Sequence, residues 1–463
     1  MEVGKNKSGA AVKVLQYVSV LTAAGAYAIY VFKHENEYPW YDFLAPLLTL
    51  ALFAGVLIAA MPRLVSLFSQ GNEFDPAEAR YGKRRGNFFL IVLGALALHV
   101  FTYLLGICVC GLCRGVESSK WFEYFSRIAW MKENTDAQHY INIAENWYQT
   151  TGNDRLLLVF FPMLPLLIRC FNLVLHDSYL SATLINTIAT ALASGMTYLT
   201  LLPVLGNKRS KAAAFIALLL PGAIFFNSPM TEPLFLLFSV CGFFFMQKRN
   251  YIMAGVFTAL AGFTRSLGVL LAVPIAILGL AHVISLIRSK QKVGGTIAKL
   301  IIGLVISTMG TLAYLAINYS LHGDPFKFLE YQWNNWHQAA CPFFDTPRYM
   351  ISYIIYDMSR DPMRIFFMWI PELVVIIASL GLMLAKGRKL PFTYTVYFLC
   401  YFAVSVGCTW LLSSVRYLCA ALPVIAAAAH SCDKKWKTAV IFSLTAVMYI
   451  FYMVLYMKRF AVY

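Results

Sequence analysis

Residues 134–165 read NTDAQHYINIAENWYQTTGNDRLLLVFFPMLP, a charged and aromatic stretch inside a chain that is otherwise strongly apolar. Its ionisable residues are Asp136, His139, Glu145, Asp154 and Arg155. Ionisable groups are costly near hydrocarbon, so those held close to a membrane are candidates for a functional site. The composition of the remaining chain tells whether a membrane is expected.

The composition predicts an all-α integral membrane protein. Of 463 residues, 60% are hydrophobic and 13% are charged, and the mean hydropathy is +0.65. Soluble domains carry about 25% charged residues. Apolar runs of about 17–25 residues, each long enough to cross about 30 Å of hydrocarbon, recur along the chain and predict about 11–13 transmembrane helices. The candidate spans are 12–32, 43–66, 87–112, 179–204, 211–227, 230–247, 250–264, 267–287, 298–318, 366–385, 391–412, 416–430 and 436–457.

The basic residues predict the orientation of these spans. The formal net charge is +16, but the lysines and arginines stand in short clusters between apolar runs, a pattern typical of membrane topology and not of a nucleic-acid-binding face. With the N-terminus in the cytoplasm, the cytoplasmic clusters are Lys5/Lys7/Lys13, Arg63/Arg80/Lys83/Arg84/Arg85, Lys208/Arg209/Lys211, Lys248/Arg249, Arg288/Lys290/Lys292/Lys299, Lys386/Arg388/Lys389 and Lys434/Lys435/Lys437.

This orientation gathers the polar loops on the outer, non-cytoplasmic face. The long loops 113–178 and 319–365 and the tight turns 227–231, 264–266 and 413–416 all fall there. The chain is accordingly divided into N-terminal membrane helices (1–113), a first outer loop that holds the candidate site (114–178), a transmembrane core (179–318), a second outer loop (319–365) and C-terminal membrane helices (366–463).

Asp136 and His139 are the first candidate site residues. Asn134 or Thr135 is the expected N-cap of an amphipathic helix on the membrane surface, with Tyr140, Ile143, Ala144 and Trp147 as its apolar stripe. At 3.6 residues per turn, Asp136 and His139 share the side of Tyr140, whereas Glu145 points away. The alternative is that Asp136 only complements the helix dipole.

Other candidates lie at the predicted outer turns and in the second outer loop. Arg265 and Arg416 each stand alone at the outer end of an apolar helix, where a guanidinium can bind phosphate oxygens or simply snorkel to the interface. Glu232 is placed to orient a polar neighbour. Trp336 could hold a sugar or belong to the aromatic belt. The segment 160–165, FFPMLP, is either re-entrant or a kinked helix, because proline removes a helical hydrogen bond.

Several classes of chemistry are disfavoured. The sequence contains neither GxxxxGK[ST] nor GxGxxG, so a cytoplasmic nucleotide-driven reaction is not expected. The outer carboxylates show no metal-ligand spacing, and neither a metal nor a cofactor is expected.

The motifs in this order resemble the second GPI mannosyltransferase family and its bacterial relatives. DAQHYINIAENWY followed by VFFPMLPLL is similar to the family's DAxHFxxIAExGY and FFPxxPL pattern, and LPGAIFFNSPMTEPLF, AGFTRSLGVLLAVP and RYLCAALP resemble later segments. The similarity covers roughly residues 125–430. This chain has Thr135 and Trp147 where the family usually has Trp and Gly, and about 110 N-terminal residues lie outside the resemblance.

The resemblance implies a GT-C-type membrane glycosyltransferase, of bacterial type at the outer face of the cytoplasmic membrane, or luminal in the ER if eukaryotic. It implies an inverting transfer of a sugar, typically mannose, from a polyprenyl- or dolichyl-phosphate donor to a lipid or glycan acceptor. Asp136 would be the general base, and His139 would either assist it or bind phosphate. Glu232, Arg265 and Arg416 would line the donor site. The competing hypotheses are a transporter or flippase of polyprenyl-linked lipids, and an inactive scaffold.

Overall fold

The computed structural model describes residues 2–74, 85–130 and 136–460, and helices dominate these ranges. The α-helices are α1 (Glu2–His34), α2 (Leu44–Gln70), α3 (Arg85–Arg114), α4 (Ala137–Asn146), α5 (Met163–Leu175), α6 (Ser178–Leu219), α7 (Glu232–Gln247), α8 (Tyr251–Thr264), α9 (Ala272–Arg288), α10 (Gly294–His322), α11 (Lys327–Trp336), α12 (Thr346–Asp357), α13 (Ile370–Lys386), α14 (Phe392–Val406), α15 (Ser414–Cys419), α16 (Leu422–His430) and α17 (Lys435–Met457).

Shorter helical pieces connect these helices. Single turns of α-helix form at Trp121–Glu123 and Pro362–Arg364, and π-helical turns follow at Tyr124–Ile128 and Ile365–Trp369. The 3-10 segments are Trp40–Phe43, Ser118–Lys120, Asn153–Val159, Pro221–Asn227, Ser266–Leu271 and Gly387–Lys389. Across the described ranges the β pairing is confined to one isolated bridge, between Ala340 and Cys408.

The described residues contain eight helices that are long and apolar enough to cross a bilayer, or ten if each of two sharply bent helix pairs is one span. The chain is therefore an all-α membrane protein, as its composition predicts. The number is lower than the expected 11–13, partly because the apolar stretches Tyr251–Thr264 and Phe392–Val406 form helices of fewer than 18 residues.

The remaining difference comes partly from α6, whose 42 residues contain a reversal of direction at Gly206. Gly206 has φ 72° and interrupts the helix. The Ser194 hydroxyl donates to the Ala214 carbonyl at 2.8 Å, although a straight helix would separate residues 20 positions apart by about 30 Å. The two halves of α6 therefore lie side by side. The first corresponds to the predicted span 179–204, whereas the predicted span 211–227 matches the second half only as far as Leu219 and continues into the 3-10 segment Pro221–Asn227.

Two sharp bends occur where proline interrupts an apolar stretch. The segment Asn153–Val159 meets α5 at 109°, and Pro221–Asn227 meets α7 at 108°. Pro162 and Pro165 lie at the first bend, where helix propagation would require backbone donors that proline lacks. The predicted irregularity of FFPMLP is thus a break between two helical segments, and the second bend brings the start of α7 to the candidate site.

The helix α4 forms where it was expected, but it ends before Trp147. Trp147 has φ 60° and follows the last helical residue, so it does not belong to the apolar stripe predicted to contain it. Tyr140, Ile143 and Ala144 are buried, and α4 packs against α5 and α6. The expected N-cap residues Asn134 and Thr135, like the basic residues Arg80, Lys83 and Arg84, lie outside the described residues.

The N-terminal helices are joined to the later parts of the chain. The helix α2 packs against α9, α13 and α14. At the end of α1, the Tyr30 hydroxyl donates to the carboxylate of Asp345, which also forms a 2.5 Å ion pair with Arg348. The first helix is thereby attached to the second outer loop just before α12.

Candidate functional site

Four charged side chains that are far apart in the sequence meet in one ion cluster. They are Asp136 at the start of α4, Glu232 at the start of α7, Arg265 directly after α8, and Arg416 in α15. The term ion cluster is used below for these four residues. The cluster joins the first long loop to three tight turns that the basic-residue pattern predicts on the same membrane face.

The contacts within the ion cluster are short. Arg416 Nη2 donates to Asp136 Oδ2 at 2.8 Å, and Arg265 Nη1 donates to Glu232 Oε1 at 2.5 Å. Arg416 Nε lies 2.7 Å from the same Glu232 oxygen as an ion pair, but without hydrogen-bond alignment. One carboxylate oxygen thus lies between two guanidinium groups, and one guanidinium bridges both carboxylates.

The turn before Glu232 is held by a buried amide. Asn186 in α6 donates to the carbonyls of Ser228, at 2.5 Å, and Met230, at 3.1 Å. Glu232 and Pro233 then occupy the first turn of α7, where an acidic side chain complements the helix dipole and proline costs no hydrogen bond. The local sequence SPMTEP therefore begins the helix α7 and places the Glu232 carboxylate at its N-terminus.

Arg265 ends α8 in an extended conformation. Its φ is −155°, and its N–H bonds the Ala261 carbonyl at 2.9 Å. The next turn folds back on α8 so closely that a Cβ at Gly268 would lie 2.1 Å from the carbonyl carbon of Ala261. A side chain at Gly268 would displace the turn that carries Arg265.

Arg416 is positioned by a buried carboxylate that the sequence did not identify as a candidate. Glu372 accepts hydrogen bonds from the Ser414 backbone N–H, at 2.5 Å, and from the Ser414 hydroxyl. The Glu372 carboxylate thereby caps the first turn of α15. On the other side, a Cβ at Gly222 would lie 2.7 Å from the Val415 carbonyl oxygen. The available signal for Glu372 was an acidic residue inside the predicted span 366–385, where a charge is costly.

The ion cluster is buried at Glu232 and reaches solvent at Asp136. The side chain of Glu232 is fully buried and that of Arg416 is 6% exposed, whereas Arg265 is 15% and Asp136 28% exposed. Among the described residues, the second oxygen of Glu232 is buried without a hydrogen-bond partner. The two positive and two negative charges balance, which lowers the cost of removing them from water.

The two guanidinium groups remain charged in this environment. Burial alone lowers the pKa of Arg265, but Glu232 and the other neighbouring groups together raise it above its ordinary value. Burial likewise opposes the charge of Arg416, and Glu232 and Asp136 raise its pKa. Both side chains are therefore cations that can bind an anion.

Aromatic side chains surround the cations. The guanidinium carbon of Arg265 lies 4.6 Å, and that of Arg416 5.4 Å, from the centre of the Tyr417 ring, while Phe225 approaches Arg416 at 5.6 Å. Burial raises the pKa of Tyr140, with a further contribution from Asp136, so its hydroxyl remains protonated beside Thr231. Tyr417 and Phe225 lie inside the motif segments RYLCAALP and LPGAIFFNSPMTEPLF, but neither was singled out as a candidate in the sequence.

His139 and Trp336 lie beside the ion cluster and not within it. The His139 ring stacks on Phe160 with centroids 4.8 Å apart, and Trp336 meets the same ring edge-on at 5.7 Å. Burial lowers the pKa of His139, although the charges of Asp136 and Asp154 act in the opposite direction. The two predicted site residues His139 and Trp336 therefore both contact Phe160, and this ring lies between them. Glu145 is exposed, as expected.

This geometry can bind an anion and supply a carboxylate next to it. Asp136 bonds a guanidinium of the ion cluster, so dipole compensation is not its only contact. Within the described ranges no three His, Cys, Asp or Glu side chains are grouped to hold a metal ion.

No family model matches this chain, and a search of curated proteins found no relative.

Proposed function

We propose that this protein is a membrane glycosyltransferase that moves a sugar from a lipid-phosphate donor to a lipid or glycan acceptor at the outer face. The observation that carries the proposal is the ion cluster, in which two arginines and two carboxylates meet at the ends of apolar helices. The resemblance of the surrounding motifs to mannosyltransferases supports mannose as the first sugar to test.

In this proposal Asp136 is the general base. One of its oxygens accepts from Arg416, and the other makes no hydrogen bond to the described residues. The partly exposed carboxylate would take the proton of the acceptor hydroxyl as the hydroxyl oxygen attacks the anomeric carbon. A positioned base contributes about 10²–10⁴-fold to a rate, and a single inverting displacement needs only one.

Arg265 and Arg416 would bind the phosphate that leaves. A phosphate oxygen competes with Glu232 and Asp136 for the same guanidinium donors, whose planar geometry suits phosphate. Donor binding would therefore weaken the contact between Arg416 and Asp136 and release the base. Negative charge that develops on the departing phosphate would be stabilised by cations already in place.

The test is sugar transfer in proteoliposomes that contain the purified full-length protein. Polyprenyl-phosphate mannose is the donor, and membrane extracts supply a broad mixture of acceptors. Asp136→Asn should abolish transfer while donor binding is retained. Asp154→Asn is the matched control, because Asp154 is an exposed carboxylate of the same outer segment and should be dispensable.

The results separate the proposal from its alternative. Transfer lost only in Asp136→Asn supports an enzyme with Asp136 as base. Equal transfer in wild type and Asp136→Asn removes Asp136 from the mechanism. A transporter or flippase of polyprenyl-linked lipids would bind the donor and move it across the bilayer without turnover, and Asp136→Asn would leave that movement intact.

A further inference from the structure

A second polar site lies at the opposite end of the helices from the ion cluster. A cavity of about 250 Å³ opens where the end of α2 meets the reversal in α6 and the connection between α13 and α14. Such a volume holds a small polar group and is below the range of about 300–1,000 Å³ typical of drug-sized ligands. The lining includes Arg63, Ser66, Gln70, Glu73, Val204 and Lys389.

The helix α7 separates this cavity from the ion cluster. Glu232 is the first of its 16 residues, which span about 24 Å at 1.5 Å per residue. At its far end, Gln247 donates to the Tyr394 hydroxyl at 2.7 Å, one residue beyond the Thr393 that contacts the cavity wall. By the distribution of basic residues, the cavity is expected at the cytoplasmic face.

Glu73, the acidic residue among the described residues of the lining, has its charge satisfied locally. Glu73 Oε1 accepts from the Phe392 N–H at 2.5 Å, and Oε2 accepts from the N–H and hydroxyl of Thr393 at 3.1 and 2.9 Å. These donors form the start of α14. Both oxygens are engaged there, so Glu73 makes no direct contact with a neighbouring cation, although its charge still interacts electrostatically with that of Arg63.

The cations of the lining are unpaired within the described ranges. Arg63 and Lys389 form neither a hydrogen bond nor an ion pair with any described residue there. Two further cations close to the end of α2 donate to backbone carbonyls: Arg249 to that of Gly71 at 3.2 Å and Arg288 to that of Phe68 at 2.7 Å. Among the described residues these four cations outnumber the acidic Glu73, and a polar cavity lined by excess positive charge favours an anion.

We propose that this cavity binds a phosphate group. Arg63 and Lys389 supply the charge, and Ser66 and Gln70 supply hydrogen-bond donors. The phosphate can come from inorganic phosphate in solution or from the headgroup of phosphatidic acid in the adjoining leaflet. The site is distinct from the proposed donor site and does not depend on glycosyl transfer.

The test measures binding to the purified full-length protein in detergent at constant ionic strength. The probes are inorganic phosphate and a short-chain phosphatidic acid, with short-chain phosphatidylcholine as a zwitterionic reference. The variants are Arg63→Gln and Lys389→Gln. Arg388→Gln is the matched control, because it removes the same charge from the neighbouring exposed position, which does not line the cavity.

Loss of one charge-assisted hydrogen bond should weaken binding about tenfold in either cavity variant, and Arg388→Gln should bind as wild type does. Binding of inorganic phosphate with this pattern identifies a soluble ligand, whereas binding of phosphatidic acid alone identifies a lipid. Absence of saturable binding of both probes overturns the proposal, as does equal weakening in Arg388→Gln. If Arg63→Gln does not fold, the comparison of Lys389→Gln with Arg388→Gln tests the proposal, because Lys389 lies on an exposed turn where substitution should not disturb folding.

Discussion

The substitution Arg265→Gln should lower the free energy of unfolding far more than Arg127→Gln does. Both arginines form an ion pair at 2.5 Å, but Arg127 is half exposed to solvent. Arg265 Nη1 lies 2.5 Å from Glu232 Oε1, and the Glu232 side chain is fully buried. Glutamine removes the positive charge while retaining a polar side chain. The ion cluster would then carry one positive and two negative charges, and Glu232 would keep only Arg416.

The magnitude follows from the burial of the remaining charge. Removing one partner of a buried ion pair costs about 3–5 kcal/mol, because the other charge stays in a low-dielectric environment. Since Arg416 Nε remains 2.7 Å from Glu232, the expected loss lies near the lower end, at about 3 kcal/mol.

Arg127→Gln is the matched control for this measurement. Arg127 Nη2 also lies 2.5 Å from a carboxylate, that of Asp177, but the arginine side chain is 50% exposed. Both arginines also approach a tyrosine ring, at 4.6 Å for Arg265 and 5.7 Å for Arg127. An exposed pair contributes about 0–1 kcal/mol, so the control should unfold almost as wild type does.

The assay is unfolding of the purified protein by SDS in mixed micelles, followed by circular dichroism. The double variant Arg265→Gln/Glu232→Gln restores neutrality, since Asp136 and Arg416 remain paired. Its loss of stability should be about 1–3 kcal/mol smaller than the sum of the two single losses. Equal losses in Arg265→Gln and Arg127→Gln, or strict additivity in the double variant, would refute the reasoning.

Two further predictions concern the surroundings of the ion cluster. Gly222→Ala should destabilise by about 1–3 kcal/mol in the same assay, because its Cβ would meet the Val415 carbonyl oxygen at 2.7 Å, whereas Gly381→Ala, with open space, should not. Burial lowers the pKa of His139 from 6.5, so the fold favours neutral histidine and loses stability as pH falls from about 6.5 through the lowered folded pKa. His139→Phe keeps the stack on Phe160 and should reduce that loss, measured in the same assay between pH about 7.5 and 5.5; an unchanged loss would contradict the assignment to His139.

The ion cluster and the cavity give the two ends of the helix bundle different chemistry. At one end four charges neutralise one another, so an incoming anion must compete with Glu232 and Asp136 for the arginines. At the other end, Arg63 lines a cavity whose acidic residue, Glu73, is satisfied by backbone donors. An anion at the first site would therefore displace existing bonds, whereas one at the second would occupy space beside cations that form no ion pair with the described residues.

The helical membrane class could be predicted from the sequence because it depends on local properties. A long apolar stretch must satisfy its backbone hydrogen bonds internally, and a helix does this within the stretch itself. The break at FFPMLP was also visible locally, since Pro162 and Pro165 interrupt an apolar run, whereas the predicted span 211–227 passed over the segment Pro221–Asn227, which bends into α7. The residue types of the candidate site were visible for the same reason: Asp136, Arg265 and Arg416 are charges in sequence surroundings that disfavour charge.

Only the tertiary structure decided which of these charges meet. Asp136 and Arg416 are 280 positions apart, and their contact requires the bend before α7, the reversal at Gly206 and the capping of α15 by Glu372. It also separated His139 and Trp336, which pack on Phe160, from the charged residues with which they were grouped. Helix formation is a local hydrogen-bonding problem, whereas the pairing of distant side chains depends on how all the helices pack, and no short stretch of sequence carries that information.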